Sequence, residues 1–199
     1  MMSECLDKGW SGLGFKTLEI EEKWKQYTGL ENAHFLNSNT SGLHLALKIL
    51  KDINKWSDYD EVITSPFTFV STNHSIFYEN LTPIFADVDE FLCLDPISVE
   101  TRITKRTRAV LFTGIGGNAG QLYRIIDLCK KYDLKIILDA AHMSGTWIFD
   151  NQYDNLKNKE HIGKQVDVSI FSFQAVKNLP TADSGMICFN NKDYDTIAR

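Results

Sequence analysis

A three-layer α/β/α fold, with helices on both faces of a mostly parallel central sheet, is what the sequence predicts. Short runs rich in Val, Ile and Phe recur along the chain. Between them lie segments whose apolar residues repeat at helical spacing, and that alternation builds strand, crossover helix, strand units. A chain of 199 residues with 43% hydrophobic and 12% aromatic content is also long enough to bury one substantial core.

Taken in order, the first helix is expected through TLEIEEKWKQY, where Leu18, Trp24 and Tyr27 can share a side and Gly29 follows as a stop. FLNSNT then leads into SGLHLALKILKDI. Leu43, Ala46, Leu47 and Leu50 repeat there at helical spacing, and the polar residues before them are able to cap, which places Thr40 and Ser41 at a helix N-terminus. EVITS reads as a strand, FTFVSTNHSIFYEN as the crossover and PIFADV as the next strand. RAVLFT is a third strand. It runs into glycine-rich GIGGNAG and the helix QLYRIIDLCKKYD, with Leu122, Ile125, Ile126 and Cys129 on one face, and KIILD closes this unit at Asp139. Residues 151–165 read as a surface excursion. DVSIFSF and GMICF are the last strands, joined by QAVKNLPTADS, and NNKDYDTIAR shows no finishing element.

Composition removes several classes of function. A formal net charge of -5 and the lack of any long basic run argue against a nucleic-acid partner. No stretch of about 18 apolar residues occurs, and the N-terminus has no charged start followed by an apolar segment, so neither membrane nor secretion is expected and a cytoplasmic location is. The four cysteines lie far apart, in no metal-binding spacing, and read as reduced buried thiols; no metal is expected.

Gly114, Gly116 and Ala119 satisfy a loose dinucleotide-binding pattern after a strand, and Asp139 follows at about the distance of the ribose-binding acid. The pattern sits past the midpoint of the chain with two strands before it, whereas a dinucleotide fingerprint belongs in the first strand-helix turn. A tight turn explains these glycines as well, and a nicotinamide enzyme stays open as an alternative.

Pyridoxal phosphate chemistry requires a lysine amine, an anion at the pyridine nitrogen, donors for the phosphate and a surface against the ring. Candidates for each are present. Asp139 ends a strongly apolar strand, where a carboxylate gains little without a partner; capping of the following AAHMSG is the other reading. Lys177 is delivered by FSFQAV to a loop beside strands, although a lysine there can equally reach solvent. Thr40 and Ser41 at a helix start can bind phosphate or simply cap. Phe69 can stack on the ring or pack, Ser172 can donate to the phosphate or belong to the sheet, and His142 can meet the phenolic oxygen or lie at the surface.

Seven segments, SNTSGLHLAL, DEVITSPFTFVST, PIFADVD, TRITKRTRAVL, GIGGN, LDAAHMSG and FSFQAVKNL, occur in one order over nearly the whole chain. Together the set resembles the DegT (DegT/DnrJ/StrS-type) family of pyridoxal-phosphate-dependent sugar aminotransferases, of the aspartate aminotransferase superfamily. The resemblance implies that residues 1–199 form the cofactor-binding major domain, with 1–30 as an N-terminal arm and helix and the C-terminal small domain absent. It also implies Thr40, Ser41 and Ser172 at the phosphate, Phe69 against the ring, Asp139 at the pyridine nitrogen, His142 at the ring oxygen and Lys177 as the Schiff-base lysine. The implied reaction moves an amino group, from glutamate, to a keto group of a nucleotide-linked sugar for a cell-surface glycan or similar product. The implied assembly is a homodimer. Relatives commonly carry glycine where Asn39 stands and glutamine where His142 stands. A catalytically inactive binding module that kept this fold is the second expectation.

Overall fold

The computed structural model describes residues 2–9, 14–149 and 159–198. Its elements follow in chain order as α1 (Met2–Asp7), α2 (Phe15–Thr28), β1 (Asn32–Leu36), α3 (Asn39–Asn54), β2 (Glu61–Thr64), α4 (Val70–Tyr78), β3 (Thr82–Phe85), α5 (Pro96–Thr101) and β4 (Thr107–Thr113). They continue with α6 (Leu122–Tyr132), β5 (Lys135–Asp139), β6 (Trp147–Phe149), β7 (Lys159–His161), β8 (Val168–Ser172), β9 (Gly185–Phe189) and α7 (Lys192–Ala198).

Seven strands form one sheet in the order β1-β9-β8-β5-β4-β2-β3. The pairs from β3 through β2, β4 and β5 to β8 are parallel, while β9 runs antiparallel to both β8 and β1. The predicted mostly parallel sheet is therefore observed. Strand β4 shows why both faces must be covered: along TRAVLFT, Val110 and Phe112 face one apolar cluster and Ala109 and Leu111 the other, all fully buried. The first cluster takes in Trp24 of α2, Val99 of α5 and Leu122, Ile125 and Cys129 of α6. The second takes in Leu43, Ala46, Leu47 and Leu50 of α3, Ile76 of α4 and Tyr194 of α7. These are the two outer layers.

Helix α2 differs from its expectation in the face it buries. Trp24 is inserted edge-on against Phe171 and Phe173, with ring centroids at 4.9 and 5.1 Å, but Leu18 is 67% exposed and Tyr27 half exposed. A single large aromatic anchors this helix instead of a continuous stripe. Gly29 ends it in the left-handed conformation, as predicted (φ 71°).

Three sequence expectations need correction. FLNSNT begins inside a strand, β1, that occupies the sheet edge beyond β9. NNKDYDTIAR, expected to lack a regular element, contains the helix α7, whose Tyr194 is buried against Phe189. The expected surface excursion is only partly one: Lys159, Glu160 and Lys164 are exposed, but β7 pairs with β6 and His161 is completely buried among Trp24, Trp147 and Phe171, so desolvation pushes its pKa down to about 4. Residues 151–158 of that expectation lie outside the described ones. Polar letters in this stretch concealed a buried histidine, since imidazole in an aromatic cage is neutral and behaves as an apolar ring.

Cys93, Cys129 and Cys188 are buried as expected, and desolvation pushes the thiols of Cys129 and Cys188 up to about 12; Cys5 is half-exposed. Among the described residues no helix is long and apolar enough to cross a membrane, and no cluster of potential metal ligands occurs.

Gly185, at the start of β9, fits between β8 and the start of α3. A Cβ there would lie 2.7 Å from the carbonyl carbon of Ser38 and 2.8 Å from both the nitrogen of Asn39 and the carbonyl oxygen of Phe171. Backbone cannot yield as a side-chain end can, so Gly185→Ala is expected to push α3 off the sheet. A loss of about 1 to 3 kcal/mol follows for such overpacking, read as a lowered Tm in thermal denaturation followed by circular dichroism.

Candidate active site

The carboxyl ends of β4, β5 and β8 and the residues after β1 and β2 surround one cavity of about 480 Å³. Parallel strands favour a crevice at this edge, because the loops leaving them diverge toward helices on opposite faces. Its walls include Ser38 to Thr40, Thr68, Phe69, Thr113, Asp139, His142, Ser172, Gln174 and Lys177.

Asp139 is the last residue of β5 and lies at the floor, 3% exposed. Thr72 in α4 donates its hydroxyl to Oδ2 at 2.7 Å. The Ala141 N–H and the Asn39 side-chain nitrogen both donate to Oδ1, at 3.2 and 3.3 Å. Burial pushes the carboxyl pKa up. The hydroxyl of Thr72 opposes this most, then the Ala141 N–H, the Asn39 amide and the charge of His142. A carboxylate held only by neutral donors in a desolvated floor is poised for a cationic partner entering from the cavity. Thr72 is itself 2.9 Å from the hydroxyl of Thr68, which lies 3.2 Å from that of Thr113, so a row of hydroxyls connects α4 to β4 behind the carboxylate.

Lys177 sits in the connection between β8 and β9. Because those strands are antiparallel neighbours, the connection leaves the sheet and returns beside its own origin. Its neck is closed by the Phe173 N–H donating to Ser184 O and the Thr181 N–H donating to Phe173 O, both at 2.8 Å. Lys177 Nζ lies 2.9 Å from Nε2 of His142. The other ring nitrogen of His142 accepts from the Gly116 N–H at 3.1 Å. Partial desolvation first, and the charge of Lys177 second, push the His142 pKa down, against the pull of Asp139. A backbone N–H can only donate, so Nδ1 is the acceptor in its contact with Gly116, while Nε2 faces the amine of Lys177.

The glycine-rich segment is accounted for by this contact. Ile115 to Gly117 form a single 3-10 turn with Gly116 at φ 61°, and its N–H is turned onto His142. Gly114 and Ile115 line the cavity, and the turn that follows serves to place the Gly116 N–H on His142; the dinucleotide reading has no support in this geometry.

At the opposite end, α3 begins beneath Ser38, whose side chain accepts from the Ser41 N–H. Thr40 lines the cavity beside that helix start. Ser41 does not: its hydroxyl donates to Asn37 Oδ1 at 2.5 Å and Ser38 O at 2.9 Å, and the residue that caps the helix is Ser38. Ser172, buried at the end of β8, also faces the cavity, and its Oγ accepts from the Gln174 N–H at 3.4 Å. Phe69 lines the rim and is 74% exposed.

Six of the seven residues singled out from sequence, Thr40, Phe69, Asp139, His142, Ser172 and Lys177, thus border one cavity. Sequence reasoning missed the groups that hold Asp139. Thr72 lay within FTFVST and Asn39 within SNTSG, but nothing in their spacing points to a carboxylate 67 or 100 residues further on.

The arrangement fits pyridoxal phosphate. A buried acid with neutral partners suits the pyridinium, a helix start with adjacent hydroxyls suits the phosphate, the lysine suits the aldehyde carbon, and the volume is that of a small-ligand site.

Comparison with known proteins agrees with this geometry. A family model described as the DegT/DnrJ/EryC1/StrS aminotransferase family matches residues 1–199. The spore coat polysaccharide biosynthesis protein SpsC of Bacillus subtilis is 36% identical over 193 residues, covering 96% of this chain and 46% of the relative. The solved structure of Helicobacter pylori PseC, an aminotransferase involved in the biosynthesis of pseudoaminic acid, superposes with a TM-score of 0.81 at 28% identity, over 92% of this chain and 47% of that one. DesI, solved in the presence of its TDP-sugar product, superposes with a TM-score of 0.82 at 27% identity, over 98% of this chain and 46% of that one. The chain therefore spans about half the length of the proteins it matches, and it belongs to the DegT/DnrJ/EryC1/StrS aminotransferase family.

Proposed function

We propose that this chain binds pyridoxal 5'-phosphate and serves a transaminase that moves an amino group from an amino-acid donor, glutamate, to a keto group of a nucleotide-linked sugar. The observation that carries the reading is the meeting of Asp139, at the end of β5, and Lys177, in the connection after β8, in one cavity, although 38 residues separate them in the chain. Family membership and the sugar-linked relatives support the substrate class.

When bound, the cofactor supplies an electron sink for charge that develops at the substrate carbon. The chain supplies the rest. Asp139, ionised, holds a proton at the ring nitrogen. Thr40, Ser172 and the start of α3 bind and orient the phosphate. Phe69 shields one ring face from water, and His142 sets its imidazole at the side of the cavity suited to the phenolic oxygen. Lys177 would hold the cofactor through its amine and, as a free amine, would accept and return a proton at Nζ.

We infer further that the protein works in the cytoplasm as a homodimer. Exposure of Phe69 and Val176 at the cavity rim supports a second subunit that covers them. Light scattering is expected to give twice the mass of one chain; a monomer at every concentration would remove the dimer.

Incubation of the chain with pyridoxal phosphate, reduction with borohydride and peptide mapping are expected to place the label on Lys177 and to give none with Lys177→Ala. A wild-type chain that leaves Lys177 unlabelled refutes the reading and favours a binding module without this cofactor.

Asp139→Asn keeps the shape of the side chain but cannot hold the ring proton. We expect cofactor affinity to fall roughly 100-fold, about 3 kcal/mol, in an equilibrium titration followed by visible absorbance.

A further inference from the structure

Asn39 is buried at the first position of α3, and its amide has an unusual neighbourhood. Nδ2 donates to the carbonyl oxygen of Ile170 at 3.0 Å and to Oδ1 of Asp139 at 3.3 Å. An amide nitrogen carries two hydrogens, and these two acceptors use both. The reverse orientation would set an oxygen against a carbonyl and a carboxyl, so the chemistry of the neighbours fixes which way the amide points. Its backbone belongs to the helix start that borders the cavity. One side chain therefore ties the end of the cavity suited to phosphate to the acid suited to the ring nitrogen.

We infer that Asn39 is a positioning residue for the cofactor, holding Asp139 ionised and oriented through the amide that bridges it to β8. The inference rests on the pyridoxal phosphate reading above. Asp139 needs such help because its burial works against the charged form, and Thr72 and the Ala141 N–H occupy only part of the carboxylate. The titratable groups around the cavity are His142 beyond β5 and Lys177 and Asp183 in the connection from β8 to β9. His142 is itself pushed toward the neutral form, so neutral donors must carry much of the stabilisation of the carboxylate.

The direction of the effect follows from linkage. Removing a donor from the carboxylate raises the pH at which Asp139 ionises, and a protonated Asp139 cannot accept the ring proton. Capture of pyridoxal phosphate should then fail at a higher pH than in wild type.

The test is the pH profile of borohydride-trapped label on Lys177 for wild type, Asn39→Ala and Asn39→Asp, with circular dichroism melts of each. The acid limb of Asn39→Ala is expected to move up by about one pH unit, as for one hydrogen bond to a charged group. Asn39→Asp, which sets a second carboxyl against Asp139, is expected to move further. Alanine suits a helix start, so Asn39→Ala keeps a readout even if the acidic variant fails to fold. A purely structural role would lower labelling at every pH and leave the limb in place. Coincident limbs with intact wild-type labelling overturn the role of Asn39 alone. Absence of wild-type label at any pH overturns the cofactor reading and this inference with it.

Discussion

The buried carboxylate of Asp139 is the constraint on which the rest of the site depends. A charge at the end of a central strand is costly, and the surrounding elements are arranged to meet that cost. Helix α4 brings a hydroxyl, the turn after β5 brings an N–H, and α3 brings an amide. Each of these elements also builds another wall of the cavity, so the chemistry that tolerates the acid and the shape that admits a ligand are the same construction.

The parallel sheet makes this possible. Strands β4, β5 and β8 all end at one edge, and β1 delivers α3 to the same edge although it reaches the sheet only through the reversed strand β9. Gly185 lets the start of that helix approach β8 closely. The two ends of the cavity are thus set by backbone geometry, and the side chains refine a spacing that already exists.

Much of this was legible in the sequence, for identifiable reasons. Strands such as RAVLFT are apolar on both faces and stand out, and α3 carries its apolar residues at regular spacing. Asp139 and Lys177 were conspicuous because each interrupts or follows an apolar run. What stayed hidden depends on long-range contacts: β1 has the composition NAHFL and becomes a strand only because β9 offers an edge, α7 gains its place by burying Tyr194, and His161 loses its polar character inside an aromatic cage. Asn39 and Thr72 likewise show their roles only once folding brings a carboxylate to them. Spacing alone does not tell Ser38 from Ser41 as the cap of α3; the fold gives that role to Ser38, while the Ser41 hydroxyl donates to Asn37 and Ser38.

The hairpin-like return from β8 to β9 fastens Lys177 at both ends to adjacent strands, with Phe173 bonded to both Ser184 and Thr181 across the neck. An amine on such a tether explores a small arc, and its local concentration at the cavity floor stays high even after it is released from a bound partner. The residues between Lys177 and Thr181 can therefore vary while the arc is kept, which makes this short stretch a place where the mouth of the cavity can be reshaped without detaching the group that works inside it.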